Sequence, residues 1–178
     1  ALPYRYNQTE NGFDIDLDYL AKSISAKTKV LILNNYQNPM SASSSKEELK
    51  ALSKLVLKHD LWVLSDDAYY EIRYSQDSPN SILNFPGMKQ RTVILYTFSK
   101  KYAMTGWRIG ASIGPESLIK HMARFNINDE SCTNHFIQHA LASVLADSND
   151  YGEEIIKKLI KRRDLCLKKL NSISDLNI

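Results

Sequence analysis

The sequence lacks the marks of several common protein classes. It has only two cysteines among 178 residues, Cys132 and Cys166, and no C-x-x-C pair, so we expect two reduced thiols in a cytoplasmic protein. No apolar run approaches the roughly 20 residues that a membrane-spanning helix needs. The net charge of +3 is weak and no RRM, zinc-finger or helix-turn-helix pattern occurs, which argues against nucleic-acid binding.

Several catalytic motifs are also missing. There is no G-x-x-x-x-G-K-S/T phosphate loop, which counts against a nucleoside triphosphatase, and there is no G-x-S-x-G nucleophile elbow. His135 and His139 stand four residues apart, but no acid completes an H-E-x-x-H arrangement. We therefore predict no metal site there, and expect His139 to pack or to cap.

The composition itself is ordinary for a globular domain. Hydrophobic residues make up 43% of the chain and charged residues 24%, and this length suffices for one domain with a substantial core. The first residues, Ala1-Leu2-Pro3, contain neither an initiator methionine nor a signal peptide. We expect the chain to begin in the middle of a longer protein.

Hydrophobic patterning predicts an α/β fold. Continuous apolar runs predict strands at 29–34, 61–65 and 92–97, with the first two buried on both faces. A fourth strand, at 108–114, follows the third too closely for a crossover helix, so it is predicted to be antiparallel. Helical spacing predicts helices at 14–24, 46–59, 115 onward, 134–146 and 151–172. The order predicts three α/β/α layers around a mostly parallel sheet with one antiparallel strand.

Local signals add detail to this prediction. Residues 1–13 are predicted to be extended and to end in a turn at Asn11-Gly12, and residues 74–90 to form a surface loop. Ser45 and Glu48 suggest a capping box for the second helix. Apolar faces are predicted for the third helix at Leu118, Met122 and Phe125, and for the last at Ile155, Ile156, Leu159 and Ile160.

Polar clusters follow three of the predicted strands. They are Asn38-Pro39, Asp66-x-x-Tyr69 and Thr97-x-x-Lys100. Because ligands of open α/β sheets bind beyond the carboxyl ends of the strands, these clusters are predicted to form one site.

The third cluster opens the segment that suggests a ligand. Lys100 has a hydroxyl three residues before it, on Thr97, and Arg108 eight residues after it. A lysine can form a Schiff base with a carbonyl, while a hydroxyl and an arginine can hold a phosphate. Pyridoxal phosphate combines both groups. The segment resembles the S-x-S-K-x-x-x-M-x-G-W-R-x-G stretch of fold-type I pyridoxal-phosphate-dependent aminotransferases of class I/II, most closely the bacterial aspartate aminotransferases.

The resemblance extends over nearly the whole chain and implies roles for the residues near the ring. The family order is an N-P-T-G loop, then D-x-x-Y, then the lysine. Lys100 would bind the cofactor and move a proton between the substrate and the cofactor. Asp66 would pair with the pyridine nitrogen. Tyr69 and Asn38 would donate hydrogen bonds to the phenolic oxygen.

The resemblance also implies a phosphate site and ordinary roles for two neighbours. Arg108 would grip the phosphate, helped by Thr97 and Ser99. Lys101, one residue off the motif, is expected to be a solvated surface lysine, and Asp67 a turn aspartate.

The chain departs from the family pattern in the first loop. Met40 and Ser41 replace the usual threonine and glycine, and Thr97 replaces the commoner serine. Since Ser41 stands where the family has glycine, a left-handed backbone is less expected there.

The implied activity is transfer of an amino group to a 2-oxo acid such as 2-oxoglutarate. Aspartate is the preferred donor, with aromatic amino acids or alanine next. A carbon–sulfur lyase of the same fold and a non-catalytic regulator that senses pyridoxal phosphate remain alternatives. The resemblance further implies a homodimer. It places 1–150 in the cofactor-binding large domain, and 151–178 in a long helix that leads toward a small domain not included.

Overall fold

The chain begins with a β-hairpin rather than with one extended piece. In this computed structural model, which describes residues 1–10, 12–75 and 78–176, β1 (Tyr6–Thr9) pairs antiparallel with β2 (Gly12–Ile15). The predicted turn falls partly on Asn11, outside the described residues. The first helix was predicted three residues too early, because positions 14 and 15 are hydrogen-bonded into the hairpin.

The first two helices begin at side-chain caps. Asp16 accepts a hydrogen bond from the Tyr19 N–H at the start of α1 (Leu17–Ser23). Ser45 accepts from the Glu48 N–H at the start of α2 (Lys46–Lys58), as the sequence predicts. The other half of the predicted capping box, in which the Glu48 carboxylate would accept from the Ser45 N–H, is wrong. That carboxylate accepts from the Ile15 N–H instead and so links α2 to the hairpin.

The central sheet has four neighbouring strands in chain order. They are β3 (Val30–Asn34), β4 (Trp62–Asp66), β5 (Thr92–Thr97) and β6 (Gly110–Ile113). The first three are parallel and β6 is antiparallel to β5. The predicted mostly parallel α/β architecture with one antiparallel strand is confirmed. The fourth strand is shorter than predicted, because position 108 belongs to the turn before it.

The main core lies on one face of this sheet, under α1 and α2. Its buried members come from the first 88 residues: Ile15, Leu20, Leu31, Leu33, Leu49, Leu52, Val56, Leu61, Val63, Ile82 and Met88. Residues 74–90 were predicted to be a surface loop, but Ile82, which begins a short 3-10 helix (Ile82–Asn84), and Met88 are fully buried. The apolar pattern of that segment therefore contributes to packing.

The opposite face of β3 and β4 is uncovered within the described residues. Alternate side chains of a strand point to opposite faces, and Val30, Ile32 and Trp62 lie on the exposed one, with Ile32 56% exposed. Burial of these two strands on both faces was therefore a wrong prediction for this chain. β5 differs, because its consecutive residues Thr92, Val93 and Ile94 are all buried.

Three helices follow the sheet. They are α3 (Glu116–Asp129), α4 (His135–Ala146) and α5 (Glu153–Leu170). On α3 the predicted apolar face is only partly correct: Leu118 and Met122 are half-buried but Phe125 is 80% exposed. The apolar stripe predicted for α5 is half-buried. A second core joins α4 to the lysine segment through Phe98, Ile109, Ile137 and Leu141.

Candidate active site

The three predicted polar clusters lie at one edge of the sheet. Asn34 is the register partner of Asp66 across β3 and β4, and Asp66 is the partner of Leu95 across β4 and β5. The segments that follow these strands therefore leave the sheet side by side. This places the loop with Asn38, the turn with Tyr69 and the turn with Lys100 on the same edge.

Two of the predicted site residues, Asn38 and Lys100, contact a third, Tyr69, there. The Asn38 Nδ2 atom donates a hydrogen bond of 3.1 Å to the Tyr69 hydroxyl. The Lys100 Nζ atom lies 5.1 Å from the centroid of the Tyr69 ring. Tyr69 thus stands between an amide donor and a primary amine. The hydroxyl and the amide can together donate to one acceptor oxygen, beside the amine.

Asp66 ends β4, and its carboxylate accepts a hydrogen bond of 3.2 Å from the Ala68 N–H. This is the turn role that the sequence assigned to Asp67. Asp67 is instead buried and accepts from the Ser65 hydroxyl at 2.8 Å. Burial raises the pKa of Asp67, although the Ser65 hydrogen bond opposes the rise. Asp67 does begin the turn, since its carbonyl accepts from the Tyr70 N–H at 3.1 Å, but its carboxylate bonds to Ser65 rather than within that turn.

The lysine segment is a compact turn held by its own backbone. The Met104 N–H donates to the Ser99 carbonyl, and the Ala103 N–H to the Lys100 carbonyl. Thr97 Oγ1 accepts a hydrogen bond from the Ser99 N–H at 3.2 Å, so both predicted phosphate-binding residues belong to this turn. Ring contacts between Phe98 and its neighbours fix the start of the turn against α4.

Arg108 lies farther along the same segment. It has a left-handed backbone with φ of 54°, and its guanidinium donates to the Thr105 carbonyl at 3.1 Å. Among the described residues, no hydrogen bond joins it to Thr97, Ser99 or Lys100. Its side chain is exposed and can still be reached by an anion.

The glycine that closes the segment has a steric reason. A Cβ atom at Gly110 would lie 2.7 Å from the Tyr96 carbonyl oxygen, which is closer than real Cβ contacts. Because this carbonyl belongs to the neighbouring strand, a side chain would push β6 away from β5. The final glycine of the motif is thus required by strand packing.

The loop between β3 and α2 differs from expectation at Ser41. Ser41 has φ of 56°, in the left-handed region, and Tyr36 on the other side of the loop has the same value. The expectation that serine would avoid this conformation is wrong. The Ser41 N–H donates to the Gln37 carbonyl at 2.8 Å, which helps to hold the strained backbone in place.

Lys101 is not the solvated lysine that the sequence suggested. Its side chain is 18% exposed, and its ammonium lies 2.7 Å from Glu71 and 3.4 Å from Asp150. The Tyr96 hydroxyl donates to the other Glu71 oxygen. No local pattern in the sequence indicates this cluster, because Glu71 is 30 positions away from Lys101.

The charge cluster also affects proton binding. Burial acts to lower the pKa of Lys101, but the hydrogen bond and charge of Glu71, together with Asp150, raise it above its usual range. Burial, and then the hydrogen bond to Glu71, raise the pKa of Tyr96. Lys101 is therefore held in its charged form and Tyr96 in its neutral form.

A cleft of about 650 Å³ opens beside the Asn38–Tyr69 pair, but Lys100, Asp66 and Arg108 do not line it. The edge of the sheet next to it offers a primary amine, an aromatic ring, two donors that are bonded to each other, a carboxylate and two hydroxyls. Pyridoxal phosphate has an aldehyde, a phenolic oxygen, a basic ring nitrogen and a phosphate. The set of donors and acceptors fits that molecule.

The rings of His135 and His139 are 4.5 Å apart on α4, and no group of three or more potential metal ligands occurs in 1–10, 12–75 and 78–176. Across the same ranges, every helix is too short or too polar to cross a bilayer.

Comparison with known proteins gives one consistent result. The family model described as aminotransferase class I and II matches residues 1–178. The chain is 37% identical over 166 residues to aromatic-amino-acid aminotransferase 2 of Thermococcus litoralis, covering 92% of this chain and 43% of that protein. It is also 37% identical over 166 residues to an aspartate aminotransferase of Pyrococcus abyssi, with the same coverage of 92% and 43%.

The fold comparison agrees with the sequence comparison. The crystal structure of an aromatic aminotransferase from Pyrococcus horikoshii superposes with a TM-score of 0.84 at 36% identity, over 91% of this chain and 44% of that one. The chain therefore spans less than half the length of the relatives that it matches.

Proposed function

Because the chain belongs to the class I and II aminotransferases, whose members depend on pyridoxal phosphate, we propose that it forms part of the cofactor site of a transaminase. The observation that supports this most directly is the convergence of Lys100, Tyr69 and Asn38 at the carboxyl edge of the sheet. The reaction moves an amino group from an amino acid to a 2-oxo acid.

Each site residue has one proposed task. Bound pyridoxal phosphate supplies an electron sink for the bonds at the substrate α-carbon. Lys100 holds the cofactor through Nζ, and when released it moves a proton from the substrate α-carbon. Asp66 keeps the pyridine nitrogen protonated. Asn38 and Tyr69 donate to the phenolic oxygen and favour its ionised form.

The phosphate is held by residues on both sides of Lys100 in the lysine segment. The hydroxyls of Thr97 and Ser99 and the guanidinium of Arg108 bind it. Arg108 bonds to Thr105 through one nitrogen in this structure, and its exposed guanidinium keeps further N–H donors for the phosphate.

Aspartate is the proposed amino donor, with aromatic amino acids or alanine next, and 2-oxoglutarate is the proposed acceptor. The similarity to relatives named for aspartate and for aromatic amino acids supports this range. We place residues 1–150 in the large domain and 151–178 at the passage to a small domain. A cytoplasmic homodimer that serves amino acid biosynthesis completes the proposal.

The test is chemical trapping on the full-length protein. With pyridoxal phosphate bound, borohydride reduction followed by peptide mass spectrometry should find the cofactor on Lys100. Lys101→Arg should leave this labelling intact and Lys100→Arg should abolish it, which makes Lys101 the matched control. An adduct on Lys101, or on no lysine, would overturn the assignment. Release of a 2-oxo acid from the donor, without eliminated products, separates a transaminase from a lyase.

A further inference from the structure

The loop that carries Asn38, residues 35–44, is closed at its base by one buried amide. Asn35 is 3% exposed and follows β3 directly. Its Oδ1 atom accepts from the Tyr36 N–H at 3.1 Å and from the Ser44 N–H at 3.0 Å. One side-chain oxygen thus joins the first residues of the loop to the last.

The same amide is anchored to a third segment. Asn35 Nδ2 donates to the Asn80 carbonyl at 3.1 Å, and Asn80 Nδ2 donates back to the Ser44 carbonyl at 3.2 Å. The two asparagines therefore bridge the loop base and the segment before the buried Ile82. We call this pair the Asn35–Asn80 clamp.

Above the clamp, the loop is held mostly by polar bonds. The Gln37 N–H donates to the Ala42 carbonyl at 2.8 Å, and Gln37 Oε1 accepts from the Met40 N–H at 2.9 Å. Tyr36 and Ser41 both hold left-handed backbones, which non-glycine residues adopt at a cost. Such a loop keeps its shape only while its hydrogen bonds are kept.

We propose that Asn35 is a positioning residue that holds Asn38 within hydrogen-bond distance of Tyr69 and of the cofactor's phenolic oxygen. This inference rests on the proposed function. Asn35 itself contacts neither Tyr69 nor the phenolic oxygen. Asn35 follows the end of β3, which is fixed in the sheet. Because the Asn35 side chain binds both ends of the loop, it holds the loop in a fixed position relative to β3.

Removing the clamp has a defined structural result. In Asn35→Ala, the Tyr36 and Ser44 N–H groups lose their acceptor, and the Asn80 carbonyl loses a donor. The loop must then reorganise to satisfy these groups, because unpaired buried polar groups are costly. Asn38 would move relative to Tyr69, while the sheet and α2 would stay in place.

The test measures the pH midpoint of the visible absorption of the cofactor bound to the full-length protein. Donors to the phenolic oxygen favour its ionised form, so Asn38→Ala should raise the midpoint by roughly one unit. Asn35→Ala should raise it in the same direction. Asn35→Asp keeps the acceptor oxygen and should shift it less. The control is Ser53→Ala, which removes a buried hydroxyl bonded to Lys50 on α2 and should leave the midpoint unchanged.

A double variant decides whether Asn35 acts through Asn38. If it does, Asn35→Ala should add nothing to the shift when Asn38 is already alanine. An equal further shift in that background, or no shift in the single variant, would overturn the proposal. If Asn38→Ala itself shifts nothing, the proposed function fails instead, so the two failures are distinguishable.

A second measurement does not depend on the cofactor. In the apo protein, amide exchange at Gln37 and Ser41 should be faster in Asn35→Ala and in Asn80→Ala, because the loop opens more often. Should Asn35→Ala fail to fold, Asn80→Ala and Asn35→Asp carry both measurements. Unchanged exchange at these amides in folded clamp variants would contradict the proposed coupling.

Discussion

Lys101 Nζ lies 2.7 Å from Glu71, whereas Lys100 Nζ lies 5.1 Å from the ring centroid of Tyr69. Two consecutive lysines are thus positioned by two residues of one loop, Tyr69 and Glu71. Glu71 binds Lys101 through its carboxylate, and Tyr69 lies beside Lys100 with its ring. Asp150 approaches the Lys101 ammonium from the residues before α5. The amine of Lys101 is occupied by carboxylates, and that of Lys100 lies beside the proposed cofactor contacts.

Replacing Lys101 by methionine should lower the free energy of unfolding by about 1–2 kcal/mol. Glu71 would keep only the Tyr96 hydroxyl as a donor, in a half-buried place. The measurement is urea unfolding at neutral pH. Lys157→Met is the control: its pair with Glu153 is well exposed on α5, so its loss should cost much less than the loss of Lys101. Equal losses in the two variants would contradict the buried role of Lys101.

The stabilisation by Lys101 should also depend on pH in one direction. Its pKa in the folded protein lies above the ordinary value of 10.5, so the charged pair contributes fully below that value. The difference in unfolding free energy between the wild type and Lys101→Met should be constant from neutral pH up to 10.5. It should fall as the pH rises further, through the folded-state pKa. A difference that shrinks already below 10.5 would argue against the pair.

Ser41→Gly should stabilise the protein by about 1 kcal/mol, since glycine adopts a left-handed backbone without the cost that serine bears. The backbone hydrogen bond from position 41 to Gln37 is retained in the variant. Thermal or urea unfolding measures the change. Ser43→Gly is the control, because Ser43 is not among the described residues with positive φ. It should be destabilising, and a similar loss at Ser41 would show that its backbone is not strained.

Asp66→Ala in the full-length protein should keep the cofactor attached to Lys100 but lower the transamination rate by about 100-fold or more. The pyridine nitrogen would lose the carboxylate that keeps it protonated. Steady-state kinetics with a saturating donor measures the loss. Asp67→Asn, which can still accept from Ser65, should keep most of the activity. Near-normal turnover in Asp66→Ala would refute the role of Asp66.

Residues 1–178 expressed alone with pyridoxal phosphate should not transaminate, and they should associate. They span 43% of the length of their relatives, and the apolar side chains of Ile32 and Trp62 are exposed on the sheet. Assays beside the full-length protein, with sedimentation of both, provide the measurement. We expect the full-length protein to be a dimer. A rate comparable to the parent, or a stable active monomer of the parent, would contradict these expectations.

Periodicity was sufficient to predict the sheet, because buried strands and helices repeat their apolar residues at fixed spacings. It failed where burial depends on distant parts of the chain. The run at Val30 and Ile32 predicts two buried faces, yet only one is covered in the described residues. Ile82 and Met88 stand among prolines and turn residues, and their burial follows from packing against α2 and its neighbours.

The site was predicted where the signal was local and missed where it was not. The position of Asn38, Tyr69 and Lys100 after three strands predicts that they meet, and the structure brings them together. The Glu71–Lys101 pair and the Asn35–Asn80 clamp join residues 30 and 45 positions apart. No spacing rule identifies such partners, since any of many acids and amides could serve.

The main core closes at Met88, before the lysine segment begins. Because synthesis proceeds from the N-terminus, all the buried residues of that core are synthesised before Lys100. We expect the hairpin, α1, β3, α2 and β4 to fold first on the ribosome and to serve as a template. β5 would then add to an ordered edge, and the lysine turn would form against strand ends already in place.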